Sequence, residues 1–162
     1  MDAVAIVLSL LLLLAANGAP IIACYLLGGK GAWRVDGGVR FFDGEPLLGA
    51  AKSWRGIAAA LAGCALMALL LGYPARLGLE FGLYAMLGDL LSSFLKRRLR
   101  IPPSGRATGL DQLPEALLPL WLLQRQLGLG AVDIVVTLFA FFVLEQWLSR
   151  LLYRWHVRNR PY

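Results

Sequence analysis

The chain has 162 residues, of which 59% are hydrophobic and 16% are charged, and its formal net charge is +6. A soluble domain carries about a quarter charged residues, and the apolar residues here gather in long runs, so an ordinary soluble domain is excluded. The positive charge does not indicate a nucleic-acid partner, because it follows the connections between those runs.

Apolar runs long enough to approach a membrane span occur five times along the chain. A spanning helix needs about 20 mostly apolar residues, and the segments that qualify are 3–27, 57–73, 77–95, 112–127 and 131–152. The first run has no basic segment before it and is too long for a signal peptide. The fourth reaches only about 24 Å as a helix, so we expect it to be tilted or partly inserted. The pattern predicts an all-α integral membrane protein with about five transmembrane helices, forming a single domain over 1–162.

The basic residues are distributed unevenly between the connections. Five lie in 28–56, five in 96–110 and four in the tail after residue 149, whereas only Arg76 and Arg125 lie in the other connections. Basic loops remain on the cytoplasmic side. We therefore expect the N-terminus outside, the C-terminus in the cytoplasm, and a location in the cytoplasmic membrane with the active site on its inner side.

The first cytoplasmic loop is much longer than a connector requires. Residues 33–35 and 39–41 flank Asp36-Gly37-Gly38, which predicts a small hairpin with a glycine turn. A second turn is predicted at Asp43-Gly44. Long loops with mixed charges often carry a site, so this loop is a candidate for function.

Asp89 is the most informative residue of the third segment, because a carboxylate inside a span is costly and usually functional. The alternative is a structural ion pair with a neighbouring arginine. Helical spacing places Asp89, Ser92 or Ser93, and Lys96 on one face, with Arg97 beside them. Such a face suits a metal ion and a phosphate held side by side.

The fourth segment opens with two acids, Asp111 and Glu115, that share a helix face. Asp111 could equally be a helix N-cap, with Pro114 tolerated in the first turn. Asn17 and Pro20 interrupt the first span, where we expect a kink that either opens a cavity or serves packing.

The side chains available for catalysis exclude several reaction classes. His156 is the only histidine and lies in the basic tail, and no HExxH, CxxC or P-loop motif is present. Glu145, near the end of the fifth run that forms a span, is expected to pair with a loop arginine. Carboxylates, Lys, Arg and Ser with a divalent ion suit phosphoryl or nucleotidyl transfer, which needs positioning and charge neutralisation.

The order of these motifs resembles the CDP-archaeol synthase family and, more distantly, the phosphatidate cytidylyltransferases. The resemblance covers almost the whole chain and rests on Asn17…Pro20, Asp43-Gly44, Leu48-Gly49…Lys52-Ser53-Trp54-Arg55-Gly56, Gly88-Asp89-Leu90…Ser93-Phe94-Leu95-Lys96-Arg97-Arg98 and Leu110-Asp111-Gln112. Ser53 stands where threonine is usual, and Pro114 where a second acid is common.

The resemblance implies a reaction in which CTP and a lipid phosphate give a CDP-lipid and pyrophosphate. The lipid phosphate would be of the phosphatidate or the ether-lipid type, and the cofactor would be Mg²⁺ or Mn²⁺. The partners of the protein would be these substrates and the surrounding membrane lipids. By position, Lys52, Asp89, Lys96 and Arg97 would be catalytic. The metal would be held by Asp89, Asp111 and Glu115, the last in place of the acid absent at Pro114. The residues implied in substrate and nucleotide binding are Lys52, Ser53, Trp54, Arg55, Ser93, Arg98, Asn17, Asp43 and Gln112.

Two other classes of membrane protein share some of these features. A small transporter or channel could use Asp89 and a kinked first span, but no internal repeat is evident and the charged residues gather at one face. A CDP-alcohol phosphotransferase would begin its motif as Asp36-Gly37…Arg40 does, but the later acids of that motif do not follow.

Overall fold

The computed structural model describes residues 1–101 and 109–154, and within these ranges the chain is all-helical, without a β-strand. The helices are α1 (Ala3–Leu27), α2 (Trp54–Leu70), α3 (Ala75–Arg98), α4 (Gln112–Leu122), α5 (Gln124–Leu127) and α6 (Ala131–Arg154). The prediction of an all-α protein is confirmed. His156, Arg106 and most of the basic tail lie outside the described residues.

The predicted fourth span is not one continuous helix. The chain leaves helical geometry at Leu123, where φ is −102° and ψ is 10°, and a short helix, α5, follows. Pro119, inside α4, has no N–H to donate and so removes one backbone hydrogen bond from the helix just before the break. Gly128 then ends α5 in the left-handed conformation, with φ +69°.

The connections between helices alternate between the two ends of the bundle. At one end, the N–H of Asp2 at the start of α1 donates to Asp133 Oδ1 at the start of α6, at 3.2 Å. At the other end, Asp43 of the first loop pairs with Arg98 at the end of α3. Asp43 and Arg98, which belong to two basic connections predicted on one side of the membrane, therefore lie at one end of the fold.

Glycines allow the helix backbones to approach closely. A Cβ at Gly78 would lie 2.2 Å from the carbonyl oxygen of Cys64, and one at Gly63 would lie 2.6 Å from the Cβ of Ala19. Neither position can hold a side chain without separating the helices. Small residues at helix contacts are typical of membrane bundles, in which van der Waals packing replaces the hydrophobic effect between helices.

Large apolar side chains cover the outside of the bundle. Val7, Leu70, Val135 and Phe139 are all more than half exposed, which an aqueous surface would not favour. By length and composition, α1 and the Ala131–Ser149 part of α6 could each cross a membrane, and α2 is a shorter apolar helix. These exposed faces suit contact with lipid chains, whereas the number of crossings stays a prediction.

The first loop does not form the predicted hairpin. Arg34 bridges to Ser53 and Arg40 bridges to Pro46, so residues 33–35 and 39–41 each pair elsewhere and not with one another. The reason is the second turn, at Asp43-Gly44, which brings residues 45–46 back against residues 40–41. That turn is confirmed: the N–H of Gly44 donates to the carbonyl of Phe41 at 2.9 Å.

Candidate active site

The site is assembled where α3 lies against the first turn of α4. A Cβ at Gly88 would lie 2.2 Å from the carbonyl oxygen of Pro114 and 2.6 Å from the Cα of Glu115. No side chain fits there, so the two backbones touch and the neighbouring Asp89 is brought to the start of α4. In the sequence, the one signal for this contact is a glycine inside a helix, next to an acid.

Asp89 pairs with a lysine of the first loop. Lys52 Nζ lies 2.7 Å from Oδ1 and 2.6 Å from Oδ2, with both side chains about a quarter exposed. The alternative of an arginine partner for Asp89 is not what the structure shows. The main chain of Lys52 is itself fixed, because its carbonyl accepts a hydrogen bond from the N–H of Val35 at 3.0 Å.

A second lysine–aspartate pair lies close by. Lys96 Nζ is 2.7 Å from Asp111 Oδ1, and the lysine side chain is only 12% exposed. Asp111 precedes α4 but makes no side-chain capping hydrogen bond to it, so the N-cap interpretation is not supported. Gln112 instead accepts a hydrogen bond from the N–H of Gly109, at 2.8 Å, and holds the chain entering α4.

The predicted polar face of α3 is present, and its serines and Arg97 are buried. Ser92, Ser93 and Arg97 are each at most 5% exposed, and the Ser92 hydroxyl donates to the carbonyl of Asp89 at 2.9 Å. The Arg97 side chain runs beneath Gly49 of the first loop, within 4.0 Å of the position a Cβ would take there. A guanidinium and two ammonium groups thus gather at one end of the bundle.

Glu115, in the first turn of α4, is a buried acid near the charged groups. It is 5% exposed, and the charges of Asp89, Asp111, Lys52 and Glu145 all act on it. No arginine pairs with Glu145 among the side chains that the structure describes, and its Oε2 is buried without a hydrogen bond from any of them. The expected loop-arginine pair of Glu145 is therefore not observed within the described residues.

Asp36 of the first loop is a further buried carboxylate, which the sequence indicated only as part of a turn and of an incomplete phosphotransferase-like motif. Its oxygens accept hydrogen bonds from the N–H groups of Gly38, Leu48 and Gly49, at 2.9 to 3.0 Å. Burial alone would raise its pKa, but these N–H groups outweigh that effect, and Arg34 adds a nearby positive charge. The pKa of Asp36 therefore lies below its ordinary value.

Several predicted binding residues have structural contacts in this state. Ser53 caps α2 by accepting a hydrogen bond from the N–H of Gly56, and Arg55 donates to the carbonyls of residues 28 and 30 after α1. The Asn17 amide donates to the carbonyl of Leu13, four residues earlier. Trp54 is more than half exposed. None of these contacts joins its residue to the two lysine–aspartate pairs.

Arg98 holds the first loop against α3. Its guanidinium lies 2.8 Å from Asp43 Oδ1 and 2.7 Å from the carbonyl of Pro46. It also lies over the rings of Phe41 and Phe94, 4.5 and 5.0 Å from their centroids. Asp43 and Arg98, each predicted separately as a binding residue, thus pair with one another and anchor the loop.

The acids suit a metal that arrives with a substrate. Among the described residues no three His, Cys, Asp or Glu side chains form a metal-binding group by themselves, and Asp89 and Asp111 each hold a lysine ammonium. Mg²⁺ is usually bound by one or two carboxylates together with substrate phosphates. Two aspartates with hard oxygen donors therefore fit such an ion.

Comparison with known proteins identifies the family of the chain. Residues 3–77 and 75–162 match the family model of CarS-like CDP-archaeol synthases. The chain belongs to this family. A CDP-archaeol synthase of Hyperthermus butylicus is 39% identical over 115 residues, covering 66% of this chain and 64% of the relative. For one from Saccharolobus islandicus the identity is 30%, covering 79% of this chain and 81% of the relative.

The match to the first of these relatives spans less than two thirds of that protein, and one from Thermococcus gammatolerans, 40% identical, is covered over 60% of its length. A solved structure described as "Structural insight into an intramembrane enzyme for archaeal membrane lipids biosynthesis" is 31% identical, with a TM-score of 0.66. The alignment covers 83% of this chain and 89% of that one. Together with the exposed apolar faces, this likeness shows an integral membrane protein with the fold of an intramembrane enzyme.

Proposed function

We propose that the protein is a CTP-dependent cytidylyltransferase that converts a lipid phosphate to a CDP-lipid and releases pyrophosphate. The observation that carries this proposal is the meeting of two lysine–aspartate pairs, Lys52–Asp89 and Lys96–Asp111, around one buried acid. A bound triphosphate needs cations to contact its phosphate oxygens and carboxylates to hold its metal counterion. Membership of the CDP-archaeol synthase family supports the same reaction.

The cations of the site neutralise the triphosphate of CTP. Lys52, Lys96 and Arg97 would contact phosphate oxygens, with the Ser93 hydroxyl one turn before Arg97. In the structure the two lysines are already neutralised by Asp89 and Asp111, so each can exchange a carboxylate for a phosphate as the substrate enters. Catalysis then consists mainly of positioning and charge stabilisation.

The chemical step is a substitution at the α-phosphorus of CTP. An oxygen of the lipid phosphate forms a bond to that phosphorus, while the bond from the phosphorus to the oxygen bridging to the β-phosphate breaks. Pyrophosphate leaves with the electron pair. The attacking phosphate is already ionised near neutral pH, so no general base is needed, in agreement with the carboxylates and cations that line the site.

A divalent ion fits this reaction as a partner of the aspartates. Asp89 and Asp111 would hold Mg²⁺ or Mn²⁺, with Glu115 adjacent, and the ion would neutralise charge on the triphosphate. Turnover should stop when a chelator is in excess. Mn²⁺ binding, measured by electron paramagnetic resonance in the presence of CTP, should weaken in Asp89→Asn. Full turnover in chelator would remove the ion from the mechanism.

The arrangement in the membrane follows from charge. We propose a single membrane-embedded domain with five crossings, the N-terminus outside and the site on the inner face of the cytoplasmic membrane. The basic connections support this orientation, and so does the position of the first loop and the end of α3 at one end of the bundle. With α4 and α5 interrupted at Leu123, the fourth crossing is the shortest.

The lipid substrate is proposed to be an ether-lipid glycerol phosphate, because the relatives carry the name CDP-archaeol synthase. The test is purified protein in detergent with labelled CTP, Mg²⁺ and matched ether and ester lipid phosphates. A labelled lipid product together with pyrophosphate is expected, most rapidly with the ether lipid. Absence of product with every lipid phosphate would overturn the proposed function, whereas preference for an ester lipid would change only the substrate.

A further inference from the structure

Asp36 is a buried side chain of the first loop that the reaction described above does not use. It is 8% exposed, although aspartate is almost never buried unless it is paired. Its Oδ1 accepts the N–H of Gly38, and its Oδ2 accepts the N–H groups of Leu48 and Gly49. The carboxylate of Asp36 therefore joins its own turn to Leu48 and Gly49, which lie 12 and 13 residues later in the loop.

The backbone that Asp36 holds leads directly to two cations of the site. Gly49 has a φ of +100°, and a Cβ there would lie 3.9 Å from Arg97 Nε. The carbonyl of Gly49 also accepts a hydrogen bond from the N–H of Lys52 at 3.3 Å, which closes a turn. The Arg97 side chain thus passes beside Gly49, and Gly49 begins the turn whose last residue is Lys52.

We propose that Asp36 is a positioning residue for phosphate binding, which fixes Leu48 and Gly49 so that Lys52 and Arg97 face the triphosphate together. The inference rests on the proposed function, since a triphosphate is taken as the ligand. A carboxylate is required because it only accepts hydrogen bonds. An asparagine would turn its NH₂ group toward backbone N–H donors and leave at least one of them without an acceptor.

The chain offers a matched control for the loss of this carboxylate. Asp2 also accepts two backbone hydrogen bonds, from the N–H groups of Val4 and Ala5 at 2.9 and 3.1 Å. It lies at the opposite end of the bundle, beside Asp133. At Asp2 both N–H groups donate to Oδ1, an acceptor that asparagine keeps, whereas Asp36 uses both of its oxygens. Asp2→Asn therefore controls for removing the charge of a carboxylate that accepts backbone N–H groups, away from the site.

The main measurement compares CTP with the lipid substrate. In Asp36→Asn, the Kd and KM for CTP should rise about tenfold, as expected for losing a hydrogen bond to a charged group. The KM for the lipid phosphate should stay within about twofold, and Asp2→Asn should match the wild type in both. Equal rises in both KM values with a fall in kcat would mean general destabilisation and would overturn the inference.

Two further measurements test the route through the backbone. In a Lys52→Met protein, Asp36→Asn should raise the KM for CTP by a much smaller factor than it does in the wild type, because contacts in one network are not additive. Amide hydrogen exchange of residues 47–54 should accelerate in Asp36→Asn but not in Asp2→Asn. Full additivity, or unchanged exchange in that segment, would contradict a positioning role.

The failures of the two proposals can be told apart. If the wild type neither binds CTP nor forms a CDP-lipid, the proposed function fails and the inference fails with it. If the wild type binds CTP and Asp36→Asn binds it equally well, only the inference fails. Should Asp36→Asn not fold, Asp36→Glu keeps the charge on a side chain one methylene longer. It should raise the KM for CTP alone, and an unchanged KM would overturn the inference.

Discussion

The side chains of Lys52 and Asp89, 37 residues apart in the chain, meet with Nζ 2.6 Å from Oδ2. This contact ties a loop outside the bundle to a carboxylate inside it. It also explains how Asp89 is tolerated in a largely apolar helix, since a charge in such surroundings is almost always paired. Asp89 therefore has two roles that can be measured separately. It stabilises the free protein through the pair with Lys52, and in the proposed reaction it is released from that pair when the substrate binds.

Replacing Asp89 separates those roles. Asp89→Asn keeps the size of the side chain but removes its charge. Because charge stabilisation is the main catalytic contribution here, kcat should fall by about two orders of magnitude or more in folded protein. Asp133→Asn, which changes a buried aspartate at the other end of the bundle, should keep normal turnover. Near-normal CDP-lipid synthesis by folded Asp89→Asn would leave the carboxylate with a structural role alone.

Removing a phosphate-binding cation should change substrate affinity as well as rate. Lys96→Ala is expected to raise the KM for CTP and lower kcat, because Lys96 would contact phosphate in the substrate complex. Arg97→Lys should not be silent either, since a planar guanidinium and an ammonium bind phosphate differently. Arg76→Ala, which breaks an exposed pair with Glu80, is the control. Steady-state kinetics in which Lys96→Ala and Arg76→Ala behave alike would contradict the assignment.

Gly88 should tolerate no side chain. In Gly88→Ala the Cβ would meet the carbonyl of Pro114 at 2.2 Å, so α3 and α4 must separate. We expect a loss of about 1–3 kcal/mol of stability or more, together with lower activity. Gly18→Ala is the matched control, because nothing lies within 4 Å of a Cβ there and alanine favours the helix. Equal thermal melting of the two variants would mean that the helices adjust without cost.

Acid should weaken the loop through Asp36. Its pKa is lowered in the folded protein, so its contribution to stability is fully present above the unfolded value of about 3.9. That contribution is lost as the pH falls through the lower folded pKa. The difference in melting temperature between the wild type and Asp36→Asn should therefore be steady from about pH 7 to pH 5 and shrink below about pH 4. A difference that grows on acidification would have the wrong sign.

The orientation in the membrane can be tested with single cysteines. Cys24 is exposed and Cys64 is buried, so Cys24→Ser provides a background with little labelling. An impermeant thiol reagent added outside intact cells should modify Arg76→Cys but not Arg100→Cys, because basic loops remain inside. Both should be modified after the membrane is opened. The reverse pattern from outside would invert the topology.

Local features of the sequence predicted much of the fold. Apolar runs and end signals placed α1, α2, α3 and α6 near their observed positions, because a span of fixed length leaves a clear compositional signal. The fourth span was predicted as one helix, and its interruption at Leu123 was missed. The hairpin was also wrong, since two turns competed for residues 39–41 and periodicity alone does not decide which partner a strand-like segment takes.

The site was predicted as a set of residues but not as a set of contacts. Motif order predicted roles for Lys52, Asp89, Lys96 and Asp111, which the structure joins in two pairs. Which lysine meets which aspartate depends on the approach of α3 to α4 at Gly88. The role of Asp36 was missed for the same reason. Its partners are 12 and 13 residues away, and no local pattern reports a hydrogen bond across a loop.

The glycine contacts between helices have a consequence for the membrane as a barrier. Gly78 against Cys64 and Gly63 against Ala19 bring the backbones of α1, α2 and α3 so close that no column of water can pass between them at those levels. The two lysine–aspartate pairs lie beyond these contacts, and their side chains are 12 to 35% exposed. If the proposed nucleotide binds there, these backbone contacts keep water and ions from following it between the three helices.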